Sequence, residues 1–263
     1  MDNINELITH LLPILFGLII GSFLNVVILR TPVGESCVRP KSRCPKCQHP
    51  IPWKDKVPVF SYLMLLGKCR FCQCLISPRY LVIELLTALL FYACRVHFGW
   101  DLLLFIRYWP LMAIFVAITF IDLDHQIIPD FLNLGVLLIG LLTSGFVPEV
   151  GFTGSILGMF FGFFLFYALA SAYERLRNVS GLGGGDIKLL AGVGALLGIK
   201  GVLSTVFISS ILGSVAGVAW ALSSQKGDSV LKIQIPYGPF LVLGALTHTF
   251  FGEVLWLQSM IPM

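Results

Sequence analysis

Two Cys-x-x-Cys pairs, Cys44-Pro-Lys-Cys47 and Cys69-Arg-Phe-Cys72, stand 21 residues apart. Each pair turns two sulfurs toward one point, and four thiolates at this spacing are the donor set of a tetrahedral Zn(II) site. The intervening segment, with Pro50, Pro52, Pro58 and Gly67, is rich in turn formers and can fold back on itself. A loop with so little core draws much of its folding free energy from the metal. Cys74, two residues beyond Cys72, is a competing ligand, whereas Cys37 and Cys94 fall outside the pattern.

Carboxylates form the second constellation. Ile121-Asp122-Leu123-Asp124-His125-Gln126-Ile127-Ile128-Pro129-Asp130 places three acids and an imidazole directly after an apolar run. Pro129 ends a helix there and Asp130 is placed to cap the next one. Asp122 fits a solvated turn poorly. It follows Ala117-Ile-Thr-Phe-Ile and falls at or below the headgroup layer, where an ionisable group facing lipid is costly. Further along, Gly181-Leu-Gly183-Gly184-Gly185-Asp186-Ile-Lys188 ends a glycine cluster in an acid, immediately before another apolar run. Glycine backbone can open toward a substrate strand and aim a carboxylate inward, although the same glycines equally serve helix packing. A phosphate loop is disfavoured by the incomplete fingerprint, the lack of a flanking strand and the acid itself. Two carboxylates brought together share a proton, so one acts as general base on water while the other hydrogen-bonds or protonates the scissile carbonyl. That chemistry is aspartic proteolysis, with Asp186 as one member and Asp122 or Asp124 as the other.

The elements that hold these groups must be helices in lipid. Hydrophobic residues make up 57% of the 263-residue chain and charged residues 12%, far from a soluble composition. Backbone at membrane depth must satisfy its own hydrogen bonds, so apolar runs of about 20 residues read as helices. They extend over residues 11–29, 81–98, 102–121, 131–147, 152–173, 187–199, 202–223 and 236–257, giving an all-α membrane protein of about eight spans. The first run is too long for a signal-peptide core and follows acidic residues, so it is expected to remain as an anchor. Ten of the 18 Lys and Arg lie between Arg30 and Arg79, which by the positive-inside rule puts this loop in the cytoplasm and the N-terminus outside. The other cytoplasmic connections are then 122–130, 174–186 and 224–235. On that reducing side five crowded cysteines argue for metal ligation over disulfides. The net charge of +4 is a topology signal and gives no reason to expect nucleic-acid binding. There is no low-complexity linker and no evident repeat.

Taken in order, these features resemble the bacterial prepilin peptidases, the type IV leader peptidases that process type IV pilins and type II secretion pseudopilins. The resemblance rests on Gly21-Ser-Phe-Leu-Asn25 through Arg30-Thr-Pro32, Ser42-Arg-Cys-Pro-Lys-Cys47, Gly67-Lys-Cys-Arg-Phe-Cys72, Ile76-Ser-Pro-Arg-Tyr80 leading to Glu84, the acidic turn and the Gly-x-Gly-Asp element. It implies an aspartyl pair of Asp122 and Asp186, and zinc ligation by Cys44, Cys47, Cys69 and Cys72. It also implies two activities: cleavage after the glycine of a short basic leader, then methylation of the new N-terminal residue with S-adenosylmethionine. Gly67 and Lys68 are candidates for contacts to that methyl donor, with Arg43 and Asn25 beside them. Leu81 departs from the proline that relatives often carry there. The implied organisation is a first transmembrane helix at 1–29, a zinc-binding domain linked to methyl transfer at 30–79 and a multi-span peptidase domain at 80–263, in the bacterial inner membrane. Glu84 is expected to pair with a nearby base, and all five histidines to be structural.

Two readings of other classes compete. An ion-coupled transporter also uses membrane acids and broken helices, but at the midplane and within a two-fold repeat. A membrane scaffold would use the zinc loop to bind a partner and leave the aspartates inert.

Overall fold

Eight α-helices and several short helical turns build the chain, in a computed structural model that describes residues 2–39, 42–177, 183–223 and 236–257. Gly181, Leu182 and the connection 224–235 lie outside the described residues. The helices are α1 (Asp2–Arg30), α2 (Phe60–Met64), α3 (Arg79–Phe98), α4 (Trp109–His125), α5 (Asp130–Thr143), α6 (Gly151–Arg177), α7 (Gly184–Ser223) and α8 (Gly238–Leu257). Their outward faces carry large apolar side chains, such as Leu15, Phe16 and Ile19 on α1 and Phe160, Phe164 and Tyr167 on α6. In water such a surface would be an association site; here it is the face toward lipid.

Among the described residues five helices are long and apolar enough to cross a membrane: Leu7–Val33, Arg79–Phe98, Leu104–His125, Gly151–Arg177 and Gly184–Trp220. Asp130–Phe146 and Gly238–Gly252 are shorter apolar helices. The runs expected as separate spans at 187–199 and 202–223 share one element that is broken at Gly198. Gly198 has φ 69° and ψ −172°, a conformation open to glycine and essentially closed to other residues.

The helices belong to two compact units, Met1–Ala117 and Ile118–Met263. In the first, α1 and α3 pack antiparallel through small residues. Gly17 faces the backbone of Ala88, and a Cβ on Gly21 would lie 2.7 Å from Glu84 Cα. In the second, Gly158 and Gly162 of α6 lie against Gly194, Gly198 and Leu190 of α7, Gly140 of α5 lies against Ala195 and Leu196, and Gly244 of α8 lies against Thr205. Lipid tails are as apolar as leucine, so burial alone gives little reason for helices to associate. Close backbone approach at glycines supplies the dispersion contacts instead. A buried hydrogen bond from Ser155 Oγ to Ala195 O, at 2.5 Å, adds a polar tie between α6 and α7.

Candidate active site

The helix α4 runs on through the acidic segment to His125, one turn beyond the expected end of the span, so Asp122 belongs to a helix and not to a turn. Asp122 is 5% exposed, while Asp124 and His125 face outward. Two residues along a helix is a rotation of about 200°, so the acids of this segment cannot share a face. Gln126 takes φ +54° and begins the short link to Pro129, which sets the start of α5. Asp130 does not cap that helix through its side chain. Its carboxylate receives Lys188 Nζ of α7 at 2.6 Å, an exposed ion pair.

At the start of α7 the N–H of Asp186 donates to Gly183 O at 3.1 Å, and Gly183 offers no side chain where a Cβ would lie 3.2 Å from Asp186 Oδ2. Asn133 of α5 holds this helix start by donating from Nδ2 to Gly185 O at 3.3 Å. The N–H of Gly238, at the start of α8, donates to Asp122 Oδ2 at 2.9 Å in a buried hydrogen bond. The buried side chain of Ile128 links both sides. A Cβ on Gly185 would come 3.0 Å from Ile128 Cβ, and one on Gly238 would come 3.2 Å from Ile128 Cδ1. Asp122 and Asp186 are thereby gathered around one isoleucine, within electrostatic reach of each other.

The cysteine loop, in the first unit, is built from two copies of one turn. Arg43-Cys-Pro-Lys-Cys-Gln48-His-Pro50 and Lys68-Cys-Arg-Phe-Cys-Gln73-Cys-Leu75 align without a gap. In the first copy the N–H of Cys44 donates to His49 O and that of Gln48 to Cys44 O. The second repeats this with Cys69 to Cys74 O and Gln73 to Cys69 O. Gln48 and Gln73 both take positive φ, 57° and 56°, and each copy closes with an isolated antiparallel bridge, Arg43 with Pro50 and Lys68 with Leu75. This short repeat is not evident from sequence because only its ligands and glutamines are shared.

The sulfurs of Cys44, Cys47, Cys69 and Cys72 all lie within 4.8 Å of one another. Cys44 and Cys72 are 3.8 Å apart, which is the edge of a tetrahedron with metal–sulfur bonds of about 2.3 Å. The donor set therefore fits a thiophilic divalent ion. The backbone N–H of Cys47 pulls the Cys44 thiol down to about 6 and that of Cys74 lowers Cys72, whereas at Cys47 the His49 N–H is outweighed by burial and the neighbouring sulfurs, which push it up to about 11. Cys74 takes the repeat position of His49. It touches Cys44 at 3.6 Å yet falls outside the four-sulfur group, and its hydrogen bond with Cys72 pushes it up to about 12. The copies are fastened by the His49 and Phe71 rings, 3.6 Å between centroids, and Arg70 ties the second copy to the turn at Trp53–Lys56 by binding Asp55 through two hydrogen bonds of 2.6 and 2.8 Å.

Residues 15–98 match the bacterial peptidase A24 N-terminal domain, and residues 109–218 match the type IV leader peptidase family. A prepilin leader peptidase/N-methyltransferase of Aeromonas salmonicida is 35% identical over 269 residues, with 91% of this chain and 89% of that protein covered. The protein of the same description in Neisseria gonorrhoeae is 37% identical over 237 residues, covering 80% and 82%. That of Myxococcus xanthus is 38% identical over 210 residues, covering 80% of this chain and 62% of the longer relative. The chain belongs to the type IV leader peptidase family. No solved structure matches it.

For a type IV leader peptidase, one participant at the aspartyl site escapes a reading of the sequence. Gly238 lies 116 positions from Asp122 and was read only as the start of an apolar run. The signal was Pro236-Tyr-Gly-Pro239, turn formers crowded at the mouth of a span, with Tyr237 anchored by a 2.8 Å hydrogen bond between its hydroxyl and Ser209 Oγ. Gly67 has φ +66° and leaves room for Tyr62, whose hydroxyl would be 2.9 Å from an added Cβ. Lys68 joins the bridge to Leu75, a place within the knuckle. Asn25 donates from Nδ2 to Gly21 O and Tyr80 O. Glu84 departs from expectation. It is 8% exposed, its partners are the Val59 N–H and Ser22, and among the described residues no base pairs with it.

Proposed function

We propose that this chain is a membrane-embedded aspartic endopeptidase that removes the basic leader of type IV prepilins or pseudopilins after glycine, and then N-methylates the new N-terminal residue. Relatives that match over most of their length carry the description prepilin leader peptidase/N-methyltransferase. The observation that carries the peptidase reading is the convergence of Asp122, Asp186 and the Gly238 N–H around Ile128. Of a close carboxyl pair, one member takes a proton from water as the water oxygen attacks the scissile carbonyl carbon, and the other gives a proton to the carbonyl oxygen. Collapse of the tetrahedral adduct expels the amine, which takes up the proton held by the first carboxyl. The Gly238 N–H fixes one oxygen of Asp122, so its other oxygen is the one presented to water.

Topology supports the substrate class. A leader rich in Lys and Arg stays in the cytoplasm while the apolar helix behind it enters the inner membrane, which brings its cleavage site to the face where the charge distribution puts the acids. On this reading the N-terminus is outside, residues 30–79 form a cytoplasmic zinc-binding domain linked to methyl transfer, and residues 80–263 carry the peptidase. Cys44, Cys47, Cys69 and Cys72 would hold Zn(II), which supplies folding free energy to the loop. S-adenosylmethionine supplies an electrophilic methyl group when bound. The transporter reading is not favoured, because the acids sit at helix ends, Asp122 in the last turn of α4 and Asp186 in the first turn of α7.

The test is Asp122→Asn and Asp186→Asn, each co-expressed with a pilin precursor and read by mass spectrometry. Either change is expected to abolish the cut while expression and membrane insertion stay normal. Full cleavage by both variants rejects the assignment.

A further inference from the structure

A cavity of about 670 Å³ lies within the first unit, walled by the ends of α1 and α3 and by the cysteine loop. Its size is that of a site for a nucleoside-sized ligand. It is lined by Ser22 and Asn25 of α1, by Glu84 in the second turn of α3, and by Arg43, Cys44 and Phe71 of the two knuckles.

Glu84 is held here by unusual means. Gly21 lets α1 come against its Cα, and Val59 donates its N–H to Glu84 Oε2 at 2.7 Å. Val59 has φ 61° and ψ −54°, and the Phe60 N–H turns back to Pro58 O at 2.5 Å, so these residues form a γ-turn with positive φ at a β-branched residue. That conformation is rare and strained. Strain of this kind persists where surroundings over-determine it, and it collects at functional sites. What it achieves here is to fix one oxygen of a buried carboxylate at a cavity wall, with the negative charge lacking a cationic partner among the described residues. A buried carboxylate is costly unless something positive joins it.

We infer that this cavity is the methyl-transfer chamber, that it binds the sulfonium donor S-adenosylmethionine, and that Glu84 receives the α-ammonium of the freshly cut chain and removes its proton. This rests on the N-methyltransferase half of the proposed function. Both cations required for the reaction, the sulfonium and the α-ammonium, suit a pocket whose buried charge is a carboxylate. The membrane-edge position of Glu84 suits an acceptor whose remaining chain is an apolar helix in lipid. In the reaction the ammonium N–H proton passes to Glu84. The freed nitrogen lone pair then forms the N–CH3 bond as the S–CH3 bond breaks, its electron pair staying on the sulfur of S-adenosylhomocysteine. The product is a methylammonium chain end, and Glu84 returns its proton to water. Arg43, a candidate from sequence, lies at the loop end of the chamber, where a guanidinium can meet the donor's carboxylate.

The full-length protein in detergent tests this with a synthetic pre-cut pilin peptide. In Glu84→Gln the amide oxygen still accepts the Val59 N–H and only the charge is lost. Methyl transfer at pH 7 is expected to fall about 100-fold or more, with precursor cleavage within about twofold of wild type and S-adenosylhomocysteine affinity by calorimetry within about threefold. Raising the pH toward the ordinary α-amine value near 8 should restore the variant about tenfold per unit, because the amine then loses its proton unaided. Hydrogen exchange of the wild type with S-adenosylhomocysteine should show protection within residues 42–84. Wild-type methylation with an equally active Glu84→Gln, a variant that loses cleavage and binding together, or protection in other segments overturns the inference. A wild type that cleaves but transfers no methyl group instead removes the methyltransferase reading itself.

Discussion

Gly238 and Asp122 meet through a buried N–H to carboxylate hydrogen bond of 2.9 Å, although 116 positions separate them. Glycine is required for it. A Cβ at position 238 would lie 2.8 Å from the same oxygen it now contacts through its amide, so any side chain displaces the carboxylate or the start of α8. Gly238→Ala is therefore expected to slow cleavage by about tenfold to hundredfold, the worth of one hydrogen bond to an acidic partner. Single-turnover cleavage of a pilin precursor measures this. Methyl transfer to a pre-cut peptide serves as control and should be unchanged; an unaltered cleavage rate would separate Gly238 from the chemistry.

How far the site was legible depends on the range of each signal. The knuckles were legible because ligand spacing is local, and the structure brings Cys44, Cys47, Cys69 and Cys72 within 4.8 Å of one another. Asp186 gained meaning only beside the acidic turn, because an acid after three glycines and before an apolar run serves helix packing as readily as chemistry. The choice between Asp122 and Asp124 was not available from residue types. What distinguishes them in the fold is the extra helical turn of α4, which turns Asp122 inward and leaves Asp124 exposed. Gly238 and the γ-turn at Val59 were hidden because each is defined by a partner far along the chain, Asp122 in one case and Glu84 in the other. The helical fold followed from hydrophobic run length, and the break at Gly198 falls beside the boundary read between the runs 187–199 and 202–223, although there the chain kinks within one element, α7.

Two glycines on α6 four residues apart should respond differently to the same change. A Cβ on Gly158 would lie 2.7 Å from the Cα of Gly198, where backbone meets backbone and nothing can swing aside. On Gly154 it would find only Val150 Cγ1 at 3.8 Å, ordinary contact. Gly158→Ala is expected to cost about 1–3 kcal/mol as overpacking between α6 and α7, and Gly154→Ala to be neutral or slightly stabilising. Thermal unfolding of the detergent-purified variants decides it, and equal melting temperatures would contradict the packing described.

Metal content should follow the four-sulfur group and ignore the fifth thiol. Cys44→Ser and Cys72→Ser each remove one corner of the tetrahedron and are expected to release the ion. Cys74→Ser removes a sulfur that holds the position of His49 in the paired knuckle and should leave the content near one per chain. Elemental analysis after dialysis against a mild chelator reads the outcome. Loss of metal in Cys74→Ser, with retention in Cys72→Ser, would reassign the fourth ligand.

The Asp55 and Arg70 pair gives the loop a definite acid response. Its two hydrogen bonds to Arg70 hold the Asp55 carboxyl below the usual carboxylate range, so the folded value lies below the unfolded one. The stabilisation from this shift is then fully present above about pH 3.9 and is lost as pH falls through the lowered folded value. Arg70→Gln removes the cause. Amide exchange in residues 53–71 should be faster in Arg70→Gln than in wild type by a factor that stays constant from about pH 5 to 8 once intrinsic exchange rates are divided out, and that shrinks below about pH 4. Thiol protonation releases metal from both proteins in acid and cancels in the ratio. A ratio that instead grows toward low pH would mean that Asp55 is held above its ordinary value, and that the guanidinium is not what binds the second knuckle to the turn at Trp53–Lys56.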